Sequence, residues 1–219
     1  MHRKIVILLL GGEAPKMGYL CEFYERASPL ALICADGGAK VAREAGLKPT
    51  LIVGDMDSLS DDERAFFERE GVPIIVHPSK KDETDAILAL EHAFRYNPQE
   101  IWVFGALGRR LDHTLANLTL LLRGEARGVM VKLIGEDCEV FLVKGEKRIS
   151  GEAGDTVSLL ALFEDASEVT LEGFAYPLKG GKIMRDFPLG ISNELTGKEG
   201  RILVGKGNLI GIRYFRREA

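Results

Sequence analysis

Aspartates follow closely on two short apolar runs in the first half of this chain. Asp36, in ADGG, follows the apolar run 30–34, and Asp55 and Asp57, in GDMDS, follow the run 51–53. Such runs are typical of buried strands, and the ligand crevice of a parallel α/β sheet lies beyond the carboxyl ends of its strands. Carboxylates gathered there suit Mg²⁺, which usually shares its oxygen ligands with substrate phosphates. The pattern therefore predicts metal-assisted phosphoryl or nucleotidyl chemistry.

The GDMDS segment also has a simpler explanation. If the chain is extended, Asp55 and Asp57 point to the same side, and two adjacent carboxylates repel unless a cation lies between them. The alternative is a turn whose aspartate and serine cap the next helix. The presence of Asp36 at the neighbouring strand end favours the metal site.

A second acidic pair lies in KKDETD, at the start of a helical pattern. Asp82 and Asp85 are three residues apart and share one helical face. Aspartates in a first helical turn are also favoured by capping and by the helix dipole, so both explanations stay open. Lys80 and Lys81 precede them and offer either phosphate contacts or solvated surface.

The stretch GALGRRLDHTLANLTLL combines a glycine-containing loop with a helix. Arg110 presents a planar fork for phosphate oxygens, and glycines let the backbone approach a phosphate. His113 and Asn117 are four residues apart on one helical face, although a lone histidine there also suits a cap or a core position. Gly11 and Gly12, after the first apolar run, are a weaker candidate for nucleotide contacts. The sequence has neither a P-loop nor a GxGxxG fingerprint after its first strand.

Apolar runs alternate with helix-length segments over residues 1–136, which predicts βαβ units and a mostly parallel sheet with flanking helices. The expected strands are 4–10, 30–35, 51–54, 73–77, 100–105 and 129–135. The expected helices are 16–27, 38–46, 60–71, 82–96 and 112–124.

The pattern changes over residues 137–219, where short alternating runs are separated by frequent glycines. This pattern of short strands and turns predicts a smaller all-β sandwich domain or barrel-like unit. The expected strands are 139–143, 156–162, 168–174, 201–204 and 208–215.

Composition restricts the function classes. The 219 residues carry a formal net charge of −4, which gives no reason to expect nucleic-acid binding. No apolar run approaches the length of a membrane span. The three cysteines are scattered and odd in number, as in a reduced cytosolic protein. We therefore expect a cytoplasmic protein with no membrane partner.

Together the motifs resemble those of one family, the thiamine pyrophosphokinases, also called thiamine diphosphokinases. The stretches that carry the resemblance occur in the family's order: ADGGA (35–39), VGDMDS (53–58), KKDETD (80–85), GALGRRLDHTLAN (105–117), and YPL with GISNEL (176–178 and 190–195). The resemblance implies an α/β domain that binds ATP and Mg²⁺, then a β-sandwich that binds thiamine and forms a homodimer. The implied reaction transfers a diphosphate from ATP to the hydroxyl of thiamine and releases AMP.

The motifs and the resemblance together predict roles for individual residues. The expected metal ligands are Asp36, Asp55, Asp57, Asp82 and Asp85, with the choice between the last two open. The expected catalytic residues are Asp55, Asp57, Asp85 and Arg110. The expected ATP contacts are Gly11, Gly12, Gly37, Gly38, Lys81, Arg110 and His113. The expected substrate contacts are Asp112, Asn117, Ser192 and Asn193, the last two reaching the thiamine pyrimidine.

Two residues depart from the family pattern. Arg109 stands where the GGRxDH motif has its second glycine, and Leu195 stands where animal members carry an aromatic residue. The first departure affects a loop conformation, and the second puts a stacking contact with thiamine in doubt. Two other functions remain open: a diphosphotransferase for another heterocyclic alcohol, such as a hydroxymethylpterin, and a non-catalytic thiamine- or nucleotide-binding protein.

Overall fold

The computed structural model describes residues 3–13, 16–80, 82–108 and 110–215. Lys81, an expected ATP contact, and Arg109, a departure from the family pattern, lie outside these described residues. The chain divides into two compact units, Met1–Glu136 and Asp137–Ala219. None of the helices in the described part of the chain is long and apolar enough to cross a membrane.

The described part of the first unit contains six parallel strands. They are β1 (Ile5–Leu9), β2 (Ala31–Ala35), β3 (Leu51–Gly54), β4 (Ile74–Val76), β5 (Glu100–Phe104) and β6 (Met130–Ile134). Their spatial order is β6-β5-β1-β2-β3-β4. The first three strands are buried along their whole length, which explains their continuous apolar sequences. The predicted α/β class is confirmed.

The strand order creates a switch point between β1 and β5. From β1 the chain moves to β2, β3 and β4 on one side, and then crosses to β5 and β6 on the other side. The connections that leave β1 and β5 therefore diverge. A ligand crevice is expected beyond the carboxyl ends of these two neighbouring strands.

Within the described residues, six helices flank this sheet: α1 (Met17–Ala27), α2 (Gly38–Glu44), α3 (Asp61–Arg69), α4 (Asp85–Phe94), α5 (Leu111–Asn117) and α6 (Thr119–Ala126). The single helix predicted over 112–124 is wrong, because α5 ends before Leu118 and α6 begins after it. The Leu121 amide donates to the Leu118 carbonyl three residues back, and the Thr119 hydroxyl donates to the Ala116 carbonyl. These bonds tighten the turn between the two helices.

Glycines bring the loops after β1, β2 and β5 into backbone contact. A Cβ on Gly12 would lie 2.1 Å from the carbonyl oxygen of Gly105, and a Cβ on Gly38 would lie 1.9 Å from that of Leu9. A Cβ on Gly11 would lie 3.1 Å from the Cα of Gly37. No other residue type fits the approaches at Gly12 and Gly38 without a shift of the backbone, so these two glycines fix the spacing of the loops at the carboxyl edge of the sheet.

The second unit is built from antiparallel strands. They are β7 (Cys138–Ser150), β8 (Thr156–Leu160), β9 (Ala166–Glu172), β10 (Leu178–Ile183), β11 (Gly190–Glu194) and β12 (Glu199–Tyr214). The long β12 pairs with β7, β8 and β9, and its register shifts between Val204 and Leu209. The two strands predicted at 201–204 and 208–215 are therefore one irregular strand. The sequence analysis missed β10 and β11.

The glycine contacts make a testable prediction. Gly12→Ala places a methyl group against the Gly105 carbonyl, and we expect it to lower the free energy of unfolding by about 1–3 kcal/mol. Gly18, on α1, has open space around it, so Gly18→Ala is expected to stabilise the protein by about 0.5–1 kcal/mol. Urea titrations of both variants measure these changes. Equal effects of the two substitutions would contradict the account of loop packing.

The burial of His92 leads to a second prediction, on the pH dependence of stability. It is buried on α4, and burial, followed by the charges of Arg95 and His77, lowers its pKa below the ordinary value. The unfolded chain binds a proton below about pH 6.5 that the folded protein binds less readily, so stability is present above that pH and is lost as the pH falls. We expect the free energy of unfolding to drop between about pH 7 and about pH 5, and to drop less in His92→Leu.

Urea titrations of the wild type and of His92→Leu across this pH range measure the difference. The same drop in the wild type and in His92→Leu would show that another group is responsible.

Candidate active site

Three carboxylates converge at the ends of β2 and β3. Asp36, Asp55 and Asp57 each offer an oxygen, and these oxygens lie within 4.8 Å of one another. The backbone sets this arrangement, because the Asp36 amide donates to the Val53 carbonyl at 2.9 Å and ties the loop after β2 to β3. Oxygen ligands at this spacing fit a hard divalent cation.

The segment between Asp55 and Asp57 is a turn, and the expectation of an extended chain is wrong. Met56 has φ +65°, and the Asp57 amide donates to Oδ1 of Asp55 at 3.2 Å. The turn therefore brings the two carboxylates together. It is not a cap for α3, because Ser60 accepts from the Glu63 amide and Glu63 accepts from the Ser60 amide.

Burial and like charge destabilise the ionised form of Asp36. Desolvation by burial raises its pKa above the ordinary value, and the charges of Asp57 and Asp55 raise it further, while bonds from Ser58 oppose the shift. The Ser58 hydroxyl also donates to Asp57 at 3.1 Å. A cation among these groups would offset the repulsion, so the donor set suits a bound metal. Ser58 was not among the predicted site residues.

Asp36 and Asp55 of this cluster line a cleft of about 930 Å³, and all of its lining residues belong to the first unit. Its walls come from the loops after β1, β2, β3 and β5, from the start of α4 and from α5. The predicted site residues that line it are Gly11, Gly12, Asp36, Gly37, Asp55, Asp85, Arg110, Asp112, His113 and Asn117. Four further residues line the cleft but were not predicted from the sequence: Glu13, Ser79, Glu83 and Thr84.

Three expected site residues in the described part of the first unit are not part of the cleft lining. Asp57 belongs to the carboxylate cluster but does not line the cleft. Gly38 is buried and packs α2 against the Leu9 carbonyl, so it places the loop instead of facing the cleft. Asp82 is exposed and is not part of the lining, whereas Asp85 is. Thr84 caps α4 by accepting from the Ile87 amide. Among the described residues, no group of three ligands within 4.8 Å includes Asp82 or Asp85.

Arg110 and Asp112 form an ion pair at the start of α5. The Arg110 guanidinium donates from Nε to Oδ1 of Asp112 at 3.2 Å and from its terminal nitrogen to Oδ2 at 2.5 Å. These bonds lower the pKa of Asp112 to about 2. Both side chains are exposed, and exposed pairs are weak, so the arginine remains able to exchange its partner for a phosphate.

His113 and Asn117 both line the cleft on α5. His113 is exposed, so the explanation as a core histidine is wrong. Asn117 donates from Nδ2 to the Ala106 carbonyl at 2.9 Å, which ties the helix to the loop after β5.

Ser192 and Asn193 lie on β11 in the second unit, not in a turn. The Asn193 side chain is buried, donates to the Tyr176 carbonyl and accepts from the amides of Tyr176 and Glu194. Ser192 has φ +57° within a register irregularity of the strand pair. Leu195 is buried in the core of this unit. The assignment of Ser192 and Asn193 to thiamine contacts stays a prediction.

Comparisons with known proteins agree over both units. Residues 26–133 match the family described as thiamin pyrophosphokinase, catalytic domain, and residues 144–209 match that described as thiamin pyrophosphokinase, vitamin B1 binding domain. A thiamine pyrophosphokinase of Bacillus subtilis (strain 168) is 36% identical over 183 residues, which span 83% of this chain and 86% of the relative.

Solved structures extend the similarity to almost the whole chain. A thiamine pyrophosphokinase structure from Bacillus subtilis superimposes with a TM-score of 0.87 and 31% identity, covering 98% of this chain and 100% of the other. One from Geobacillus thermodenitrificans gives a TM-score of 0.84 and 29% identity, covering 98% and 99%. The chain therefore belongs to the thiamine pyrophosphokinase family.

Proposed function

We propose that this chain transfers a diphosphate group from ATP to the hydroxyl of thiamine, giving thiamine diphosphate and AMP. The observation that carries the proposal is the convergence of Asp36, Asp55 and Asp57 beside a cleft that also holds Arg110 and His113. Membership of the thiamine pyrophosphokinase family supports the choice of substrates.

The proposed metal is Mg²⁺, held by Asp55 and Asp57 with Asp36 beside them and with Asp85 as the nearer candidate of the KKDETD pair. When bound, it would draw charge from the phosphate oxygens of ATP. The raised pKa of Asp36 and the crowding of three carboxylates support a cation in this position.

The reaction needs positioning and charge neutralisation more than covalent catalysis. The thiamine hydroxyl oxygen forms a bond to the β-phosphorus, while the bond from that phosphorus to the oxygen bridging the α-phosphorus breaks. AMP leaves with that oxygen, and a carboxylate of the cluster accepts the hydroxyl proton. Arg110 exchanges Asp112 for phosphate oxygens and stabilises the charge that develops. Asp112, His113 and the backbone of Gly11, Gly12 and Gly37 complete the nucleotide and substrate contacts.

A product assay tests this function. The purified protein is incubated with ATP, Mg²⁺ and thiamine, and AMP and thiamine diphosphate are quantified together. Equal amounts of both, abolished by a chelator, are expected. ADP with thiamine monophosphate would contradict the proposed attack on the β-phosphorus. Thiamine binding without product would indicate a sensor, and turnover of a hydroxymethylpterin but not of thiamine would indicate a different alcohol.

Replacement of one cluster carboxylate should remove most of the activity. We expect Asp55→Asn to reduce kcat by at least about 10²-fold, as for the loss of one electrostatic group in other active sites. Asp62→Asn, in the exposed first turn of α3, changes the same functional group outside the cleft and should retain kcat. Near wild-type turnover by Asp55→Asn would refute the assignment.

We also propose that the protein acts as a homodimer through its second unit. Tyr176, Phe187, Leu189 and Ile191 are large apolar residues that lie close together in sequence around β10 and β11, and each is about half exposed or more. Exposed apolar surface of this kind is typical of protein interfaces.

Sedimentation velocity tests the dimer. Phe187→Asp places a charge among these side chains and should shift the protein from dimer to monomer. Leu162→Asp, at another exposed leucine of the second unit, is the control and should sediment as the wild type. A monomeric wild type would contradict the proposal.

Cytoplasmic localisation is the remaining part of the proposal. It is supported by Cys21, Cys34 and Cys138, all of which are free thiols. Cell fractionation with an antibody to the protein tests it, and recovery outside the cytoplasm would contradict it.

A further inference from the structure

The loop that joins β5 to α5 carries Arg110 at its end. Its start is held by Gly105, which has φ +69° and whose Cβ would lie 2.3 Å from the Leu10 carbonyl oxygen. Its other end is held where the Thr114 amide donates to the Arg110 carbonyl at 3.0 Å. The described residues after Gly105, namely Ala106, Leu107 and Gly108, line the cleft, so their placement affects where the arginine is presented.

Asn117 holds this stretch from the end of α5. Its Nδ2 donates to the carbonyl oxygen of Ala106 at 2.9 Å, and Ala106 is buried. A carbonyl oxygen only accepts, so the amide nitrogen must face it and the side chain has one orientation. A longer contact of 3.5 Å joins the Thr114 hydroxyl to the Gly108 carbonyl. Without the asparagine, the buried carbonyl would lose its partner and the loop would be expected to shift.

We propose that Asn117 is a positioning residue for Arg110, acting through its hydrogen bond to the Ala106 carbonyl. The proposal rests on the proposed function, in which Arg110 contacts the phosphates of ATP. It assigns Asn117 a task other than the direct substrate contact expected from the sequence. The nitrogen of its side-chain amide already donates to the loop.

A double-mutant cycle on ATP binding tests this role. Asn117→Leu keeps the size and neutrality of the side chain but removes the donor to the Ala106 carbonyl. Dissociation constants for ATP in the presence of Mg²⁺ are measured by calorimetry for the wild type, Asn117→Leu, Arg110→Ala and the double variant. We expect Asn117→Leu to weaken binding by about five- to tenfold, and Arg110→Ala to weaken it as well.

The cycle separates positioning from a structural role. If Asn117 acts through Arg110, its substitution in the Arg110→Ala background should change the dissociation constant by less than about twofold. Independent effects that multiply, no effect of Asn117→Leu, or no effect of Arg110→Ala would each overturn the proposal. Asn117→Ala replaces Asn117→Leu in the cycle if thermal unfolding shows that the leucine variant does not fold.

Thr119 offers a matched control. Its hydroxyl donates to the Ala116 carbonyl at 2.6 Å, a bond of the same kind two residues further along the chain that does not involve the loop. Thr119→Val should leave ATP binding unchanged, and a loss as large as that of Asn117→Leu would overturn the proposal. The cycle does not use thiamine, so ATP binding without turnover of thiamine would contradict the proposed function alone.

Discussion

Backbone contact between glycine-bearing loops is the constraint on which the site depends. The backbone of Gly12 contacts the Gly105 carbonyl, and the backbone of Gly11 contacts Gly37. The loops after β1, β2 and β5 therefore lie closer together than a side chain at Gly12 would allow. The switch point of the parallel sheet lies at β1 and β5, where the chain leaves neighbouring strands in opposite directions. The glycines hold together loops whose chains leave the sheet in opposite directions. All four of these glycines line the cleft.

The same edge of the sheet holds a concentration of negative charge that is unfavourable without a ligand. Asp36, Asp55 and Asp57 stay together because main-chain bonds and the turn at Met56 position them, although their mutual repulsion opposes it. Binding of a cation relieves this repulsion, and a ligand that binds only the folded state also stabilises it. Local strain and charge crowding of this kind are characteristic of functional sites, where positioning outweighs stability.

The sequence predicted the elements that continuous apolar runs specify. The six parallel strands agree within one residue at each end, because buried strands begin and end where their apolar runs do. The break at Leu118 was missed because leucines continue through it with helical spacing. The strands β10 and β11 were missed because glycines and exposed residues interrupt their alternation. In the site, residue types predicted the three aspartates, but neither the left-handed Met56 nor the Asn117 bond to Ala106 has a local sequence signal.

The central claim is that the three carboxylates bind a cation that also contacts the phosphates of ATP. Crystals grown with Mn²⁺ in place of Mg²⁺ and with a non-hydrolysable ATP analogue would locate the ion directly by its anomalous scattering. We predict a peak ligated by oxygens of Asp55 and Asp57, with Asp36 beside it and phosphate oxygens completing the shell. A cation bound elsewhere, with none of these three aspartates as a ligand, would contradict the account.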